Sequence, residues 1–172
     1  MELKEAIKNR HSVRRFSNKK LPMELISEIL EYAHLAPSAG NLQARDFIII
    51  EDEKQKINLA KASLDQMFMA EAPVNIVVCA NLNRVSPYGY RGKELYCIQD
   101  SAAAVEHILL LALDKGLGAC WIGAFDENAV SEILELPPHV RPVAIIPLGY
   151  MVGKIEITSR INMKLLTHIN KW

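Results

Sequence analysis

One short run near the start of this chain concentrates positive charge: Arg10-His11-Ser12-Val13-Arg14-Arg15-Phe16. Each arginine carries a planar fork of donors matched to phosphate oxygens, and Ser12 adds a hydroxyl beside them. His11, between Arg10 and Ser12, can donate to the same anion or serve as a simple turn residue. Twenty Lys and Arg balance twenty Asp and Glu over the whole chain, so the cluster needs a local explanation. From the cluster alone two readings stay open, a site for one bound anion or a solvated basic turn.

Elsewhere the chemistry is thinner. The segment Gly116-Leu117-Gly118-Ala119-Cys120-Trp121-Ile122-Gly123 is rich in glycine, but its glycines follow a helical pattern and lead into a strand. A dinucleotide fingerprint needs a strand, then G-x-G-x-x-G, then a helix. Neither a G-x-x-x-x-G-K-[ST] run nor a G-x-S-x-G elbow occurs. His34 and His107 fall on apolar helical patterns and read as packed core residues, whereas His139 follows Pro137-Pro138 at an expected surface. Glu94 and Asp100 sit near the expected start of a long helix, where they complement its dipole. The three cysteines, Cys79, Cys97 and Cys120, show no C-x-x-C spacing and no nearby histidine at ligand spacing, so no metal site is expected. Cys79 and Cys120 lie in apolar runs and read as buried thiols.

The elements that must position these residues follow from periodicity and punctuation. With 172 residues, half of them apolar, the chain fits one domain over 1–172 with a substantial core. Pro22 opens a helix in which Leu25, Ile26, Ile29, Leu30 and Ala33 keep the 3.6-residue period, and Pro37 ends it. Ser38-Ala39-Gly40-Asn41 has the chemistry of a turn. Apolar runs at 47–50, 74–79, 119–122 and 143–148 predict four buried strands. Further helices are predicted over 54–69, 98–117 and 127–136, with a loop over 81–93 around Pro87, Gly89 and Gly92. The 98–117 helix is apolar almost all round, the pattern of a central or interface element. Helices alternating with short strands leave α/β and α+β both open at this point.

The charge balance lacks the footprint of a nucleic-acid binder. Residues 1–5 lack the apolar core of a signal peptide, and the apolar stretch 102–113 is too short to span a bilayer. A cytoplasmic protein without a membrane partner is therefore expected. Residues 151–172 have little core character and should lie against something, a partner subunit being one candidate.

Four separated segments carry more together than any does alone. They are the cationic run 10–16; Ala36-Pro37-Ser38-Ala39-Gly40-Asn41-Leu42-Gln43; the stretch 116–125 ending in Gly123-Ala124-Phe125; and Val143-Ala144-Ile145-Ile146-Pro147-Leu148-Gly149-Tyr150. In this order and spacing the chain resembles the FMN-dependent nitroreductase family, over nearly its whole length and including Ser159-Arg160 and the final 167–172. The resemblance implies an α+β fold, an α/β/α sandwich with a mostly antiparallel sheet flanked by helices. It also implies an intertwined homodimer with two FMN sites built from both subunits, residues 151–172 embracing the partner. Carried over, Arg10, Ser12 and Arg14, with His11 beside them, reach the ribityl phosphate and pyrimidine side of FMN, and Arg160 adds a phosphate contact. Pro37, Ser38, Gly40, Asn41 and Gln43 match the loop that approaches the flavin from the other subunit. Gln66 matches a polar residue near the flavin edge, and Trp121, Ile122 and Gly123 match the strand end that faces the isoalloxazine ring. Arg14 falls where positive charge stabilises reduced flavin, and a backbone N–H around Gly123 falls near N5.

The implied activity is an FMN oxidoreductase with a ping-pong cycle. NADH or NADPH reduces FMN and leaves, and a small nitroaromatic, quinone or similar acceptor then takes the electrons. Because the flavin carries the chemistry, no catalytic side chain is expected. Two alternatives stand beside this one: a specialised flavoenzyme on the same fold, reductive dehalogenase or oxidase in type, and a flavin-binding module for sensing or storage. Little more than residues 81–96 separates the second strand from the long helix. That leaves little room for the insertion that roofs the substrate pocket in many relatives.

Overall fold

The apolar runs pair into a four-stranded antiparallel sheet in the computed structural model, which describes residues 1–153 and 158–172. Strands β1 (Arg45–Ile50), β2 (Val74–Asn81), β3 (Gly118–Ala119) and β4 (Val140–Gly149) lie in the order β1-β2-β4-β3. At the centre Ile76 faces Ile146 and Val77 faces Ile145. Side chains alternate across the pleat. Val74, Ile76 and Val78 therefore join Ala144, Ile146 and Leu148 on one face, while Val77, Cys79 and Ile145 join the other. All of β2 is buried because both faces are covered. The register shifts between Val78 and Cys79, opposite Pro142, and a bulge is where a strand tolerates the missing proline N–H.

The helices are α1 (Leu3–Asn9), α2 (Met23–His34), α3 (Glu53–Ala62), α4 (Phe68–Glu71), α5 (Gly89–Arg91), α6 (Cys97–Asp114) and α7 (Glu127–Ile133). α2 buries Ile26, Ile29 and Ala33 with α6 against the first sheet face, and α3, α4 and α7 cover the second. Carboxylates start two of them: Asp52 accepts from Gln55 N–H at 2.8 Å, and Asp126 accepts from Asn128 N–H at 2.9 Å. The result is the α+β sandwich that the sequence resemblance implied.

Three segments depart from their sequence patterns. The helix expected over 54–69 is interrupted, because Leu64 and Asp65 both take a φ of 57°, a left-handed value through which a right-handed helix cannot continue. The loop expected over 81–93 is helical from Ser86 onward, and a helical run with a π turn at Gly92–Tyr96 reaches Asp114. Pro87 falls in its first turn, where a missing N–H is harmless. By length and composition this run could cross a membrane, contrary to the short stretch expected; its α6 portion packs against α2 and the sheet. The strand expected over 119–122 shrinks to Gly118–Ala119 with one bridge from Ile122 to Ile145. Cys79, Cys97 and Cys120 are free and buried, and burial pushes the Cys79 thiol up to about 12. Residues 158–172 are exposed. The tail expected over 151–172 includes 154–157, which lie outside the described residues.

Candidate functional site

The cationic run is an extended arm laid along the sheet edge. Ser12 pairs with Ala119 in a parallel bridge, and Val13 N–H donates to Ala119 O at 2.9 Å. Farther on, Phe16 bridges to Met151, Ser17 N–H donates to Tyr150 O at 2.8 Å, and Val152 N–H donates to Arg15 O at 3.1 Å. Val13 and Phe16 turn inward while Ser12, Arg14 and Arg15 stay exposed. Val13 fits only because residue 118 is glycine: a Cβ there would lie 2.7 Å from Val13 Cγ1. His11 holds Nδ1 at 2.8 Å from Asn9 O.

The electrostatics show where the arm's donors converge. Burial raises the pKa of the Cys120 thiol, while Arg14, the Ser12 hydroxyl and Arg10 oppose that shift. Two guanidinium groups and a hydroxyl thus gather over the end of β3. Among the described residues neither Arg10 nor Arg14 has a carboxylate partner, which leaves their forks available to an anion.

Just beyond, Trp121 is exposed, Ile122 is buried, and Gly123 is open, with only the Trp121 indole nitrogen, at 3.9 Å, near the position of a Cβ. Gln66 reaches this segment from the break between α3 and α4, its Nε2 donating to Ser63 O at 2.8 Å and to Ala124 O at 3.4 Å. The structure therefore brings Arg10, Ser12 and Arg14 to the end of β3, and Gln66 to the chain just after Gly123. Arg160 is placed apart, its Nη1 donating to Thr158 O and Oγ1 and to Ser159 O.

The second group is the loop after α2. Gly40, Asn41 and Gln43 have φ of 56°, 56° and 52°, so the chain doubles back tightly. Ser38 Oγ accepts from Gln43 N–H at 3.0 Å, and Gln43 Nε2 donates to Asn41 O at 3.0 Å. Arg84 Nη1 donates to Gln43 O at 3.2 Å and Arg45 O at 2.7 Å. Pro37 is exposed, and its carbonyl accepts from Arg45. Among the described residues no hydrogen bond joins this loop to the arm.

Sequence reasoning missed Arg45, Arg84 and Asp100. Asp100 falls in the first turn of α6, as expected, but it is buried and accepts from Ala39 N–H at 2.9 Å, a tie the sequence did not show. Arg45 is buried too, and burial lowers its pKa while Asp100 opposes that. An arginine abutting an apolar run was the available signal, since a charge inside a core needs nearby acceptors. His34 is exposed, not packed, and His107 is half-buried with Nδ1 3.2 Å from Tyr32 O.

The sequence profile of the nitroreductase family matches residues 7–69 and 64–150. The chain belongs to the nitroreductase family. A relative from Archaeoglobus fulgidus, provisionally named NADH dehydrogenase/NAD(P)H nitroreductase, is 33% identical over 178 residues and is covered, like this chain, to 99%. The crystal structure of a like-named protein from Parabacteroides distasonis superposes with a TM-score of 0.88 at 29% identity, over 99% of this chain and 98% of that one. The fold is also shared with the Vibrio harveyi NADPH:FMN oxidoreductase, at a TM-score of 0.92 and 23% identity, over 99% of this chain and 77% of that one. Among the described residues, this nitroreductase presents unpaired cations on the arm, an open backbone at Gly123 and side-chain amides on the loop after α2.

Proposed function

We propose that this nitroreductase binds FMN between two copies of the chain and passes electrons from NADH or NADPH to a small acceptor, a nitroaromatic or quinone, by a ping-pong cycle. The observation that carries this reading is a cationic arm and an amide-bearing loop left unjoined. Ser12 of the arm is bridged to the end of β3, Arg10 and Arg14 have no carboxylate partner among the described residues, and no hydrogen bond there joins the arm to the loop of Asn41 and Gln43. A second copy would supply the missing half.

The donor set suits the flavin. The Arg10 fork and the Ser12 hydroxyl match a dianionic phosphate, and Asn and Gln amides match the donor and acceptor pattern of a pyrimidine edge. The open backbone at Gly123 allows a flat ring to approach, with Trp121, Ile122 and Pro37 providing apolar surface and Gln66 near its edge. Bound FMN supplies the electron transfer. Arg14 would hold positive charge beside the reduced ring, the Gly123 N–H would orient it, His11 would stand next to the phosphate, and Arg160 would add a contact from the tail. The relative named NAD(P)H nitroreductase and the fold neighbour that is an NADPH:FMN oxidoreductase support the same choice of donor and cofactor.

Purified with added FMN, the protein should be a yellow dimer carrying one flavin per chain. Arg10→Ala combined with Arg14→Ala should give a folded but colourless protein by circular dichroism and absorbance. Full retention of FMN by that variant would remove the arm from the phosphate site.

A further inference from the structure

Arg45 opens β1 with its side chain turned inward, 3% exposed, and it has no part in the chemistry proposed above. Its guanidinium serves four carbonyls at once. Nη2 donates to His34 O at 2.7 Å and Ala36 O at 2.6 Å; Nη1 donates to Pro37 O at 3.1 Å and Asp100 O at 3.2 Å. Three of these carbonyls belong to the stretch that leaves α2 and opens the loop bearing Asn41 and Gln43. The fourth belongs to Asp100 of α6, which is 4% exposed and takes Ala39 N–H on Oδ1 at 2.9 Å. Two buried side chains, the Arg45 guanidinium bonded to carbonyls on both sides and the Asp100 carboxylate bonded to Ala39 N–H, therefore tie 34–39 to the central helix.

The tie matters because of what it holds. Asn41 and Gln43 sit at φ of 56° and 52°, conformations that side-chain-bearing residues adopt only when their surroundings impose them. Released from α6, the segment would relax toward more common backbone states and its amides would no longer share one direction. Pairing of β1 with β2, where Arg45 faces Ala80, is a backbone matter and does not need the guanidinium.

We propose that Arg45, with Asp100 behind it, is a positioning residue that keeps the 36–43 loop in its flavin-binding shape and so sets how long FMN stays bound. The proposal rests on the assignment of Asn41 and Gln43 to the flavin. Apparent affinity falls with the fraction of loops in the competent shape, so a loop correct a tenth of the time binds about tenfold more weakly. Lysine cannot substitute, because a single ammonium lacks the fork that spans four acceptors.

The test compares the wild-type dimer with Arg45→Lys. FMN release is followed by flavin fluorescence below the melting point of both proteins, and amide hydrogen exchange is measured over 36–43 and over β2. FMN affinity should fall about tenfold and release should become faster, with exchange faster over 36–43 and unchanged in β2. Wild-type release together with unchanged loop exchange would overturn the proposal, even if the melting point falls, since that pattern marks a residue that only stabilises the core. If Arg45→Lys does not fold, Asp100→Ala, helix-compatible and removing only the Ala39 tie, decides by the same two measurements. A wild-type chain that takes up no FMN would overturn the flavin assignment instead, and exchange at 36–43 would still report whether Arg45 holds the loop.

Discussion

Gly118 shows how a missing side chain places a functional one. Its α-carbon faces Val13 so closely that a Cβ would meet three Val13 atoms within 2.8 Å, and Val13 lies between Ser12 and Arg14. Gly118→Ala should push the arm off β3, lowering stability by about 1–3 kcal/mol, the usual range for overpacking, and weakening FMN uptake. Thermal melts and a flavin titration check both effects. Gly40 makes a different case: its added Cβ would meet the movable Tyr88 hydroxyl, but its φ of 56° remains, so Gly40→Ala should lose about 1–2 kcal/mol through backbone strain alone. The arm's role was legible because its charges cluster in sequence. Arg45 and Asp100 were not, since their significance lies in contacts between segments far apart in sequence, 34–39, Arg45 and α6.

Elements are joined here by few charged contacts, and the clearest connects α7 to β4. Arg141 grips Glu127 through two bonds, Nε to Oε2 at 2.8 Å and Nη2 to Oε1 at 2.7 Å. The hydrogen bond from Arg141 is the main reason the Glu127 carboxyl titrates below its ordinary value of 4.5. A depressed carboxylate stabilises the fold above its unfolded pKa, and that contribution disappears as pH falls through the folded value. Both side chains are nearly half exposed, so Arg141→Ala should cost under about 1 kcal/mol at neutral pH. The difference between variant and wild type should vanish in urea melts taken well below pH 4.5. At this scale the 3.6-residue period revealed α2, and continuous apolar runs revealed β2 and β4, which are buried along most of their length. Periodicity overran the break at Leu64-Asp65, where no glycine announces the left-handed backbone, and it read Pro87, Gly89 and Gly92 as a loop although they open the helical run into α6.

If FMN binds as proposed, the arm and the loop of one chain would each need their counterpart from a second copy, and the whole molecule would be a dimer. Leu3 and Ile7 on α1, Leu35 after α2, and Ile161, Leu165 and Trp172 in the tail are all exposed, apolar surface that a second copy could cover. Deleting 151–172 should therefore give monomer or aggregate on size-exclusion chromatography, with FMN lost; an unchanged flavin-loaded dimer would remove the tail from the interface. Fold class and family were readable from the four spaced segments, whereas the anchoring of the 36–43 loop to α6 through Arg45 and Asp100 emerged only from the coordinates. The proposed electron path runs from nicotinamide through a flavin held between chains. The most direct measurement is anaerobic titration of the yellow holoprotein with NADH and with NADPH, followed at the flavin absorbance band. Bleaching by at least one of them, reversed when a quinone or nitroaromatic is added, is the predicted result. A flavin that neither nicotinamide reduces, in protein that still reduces photochemically, would contradict it.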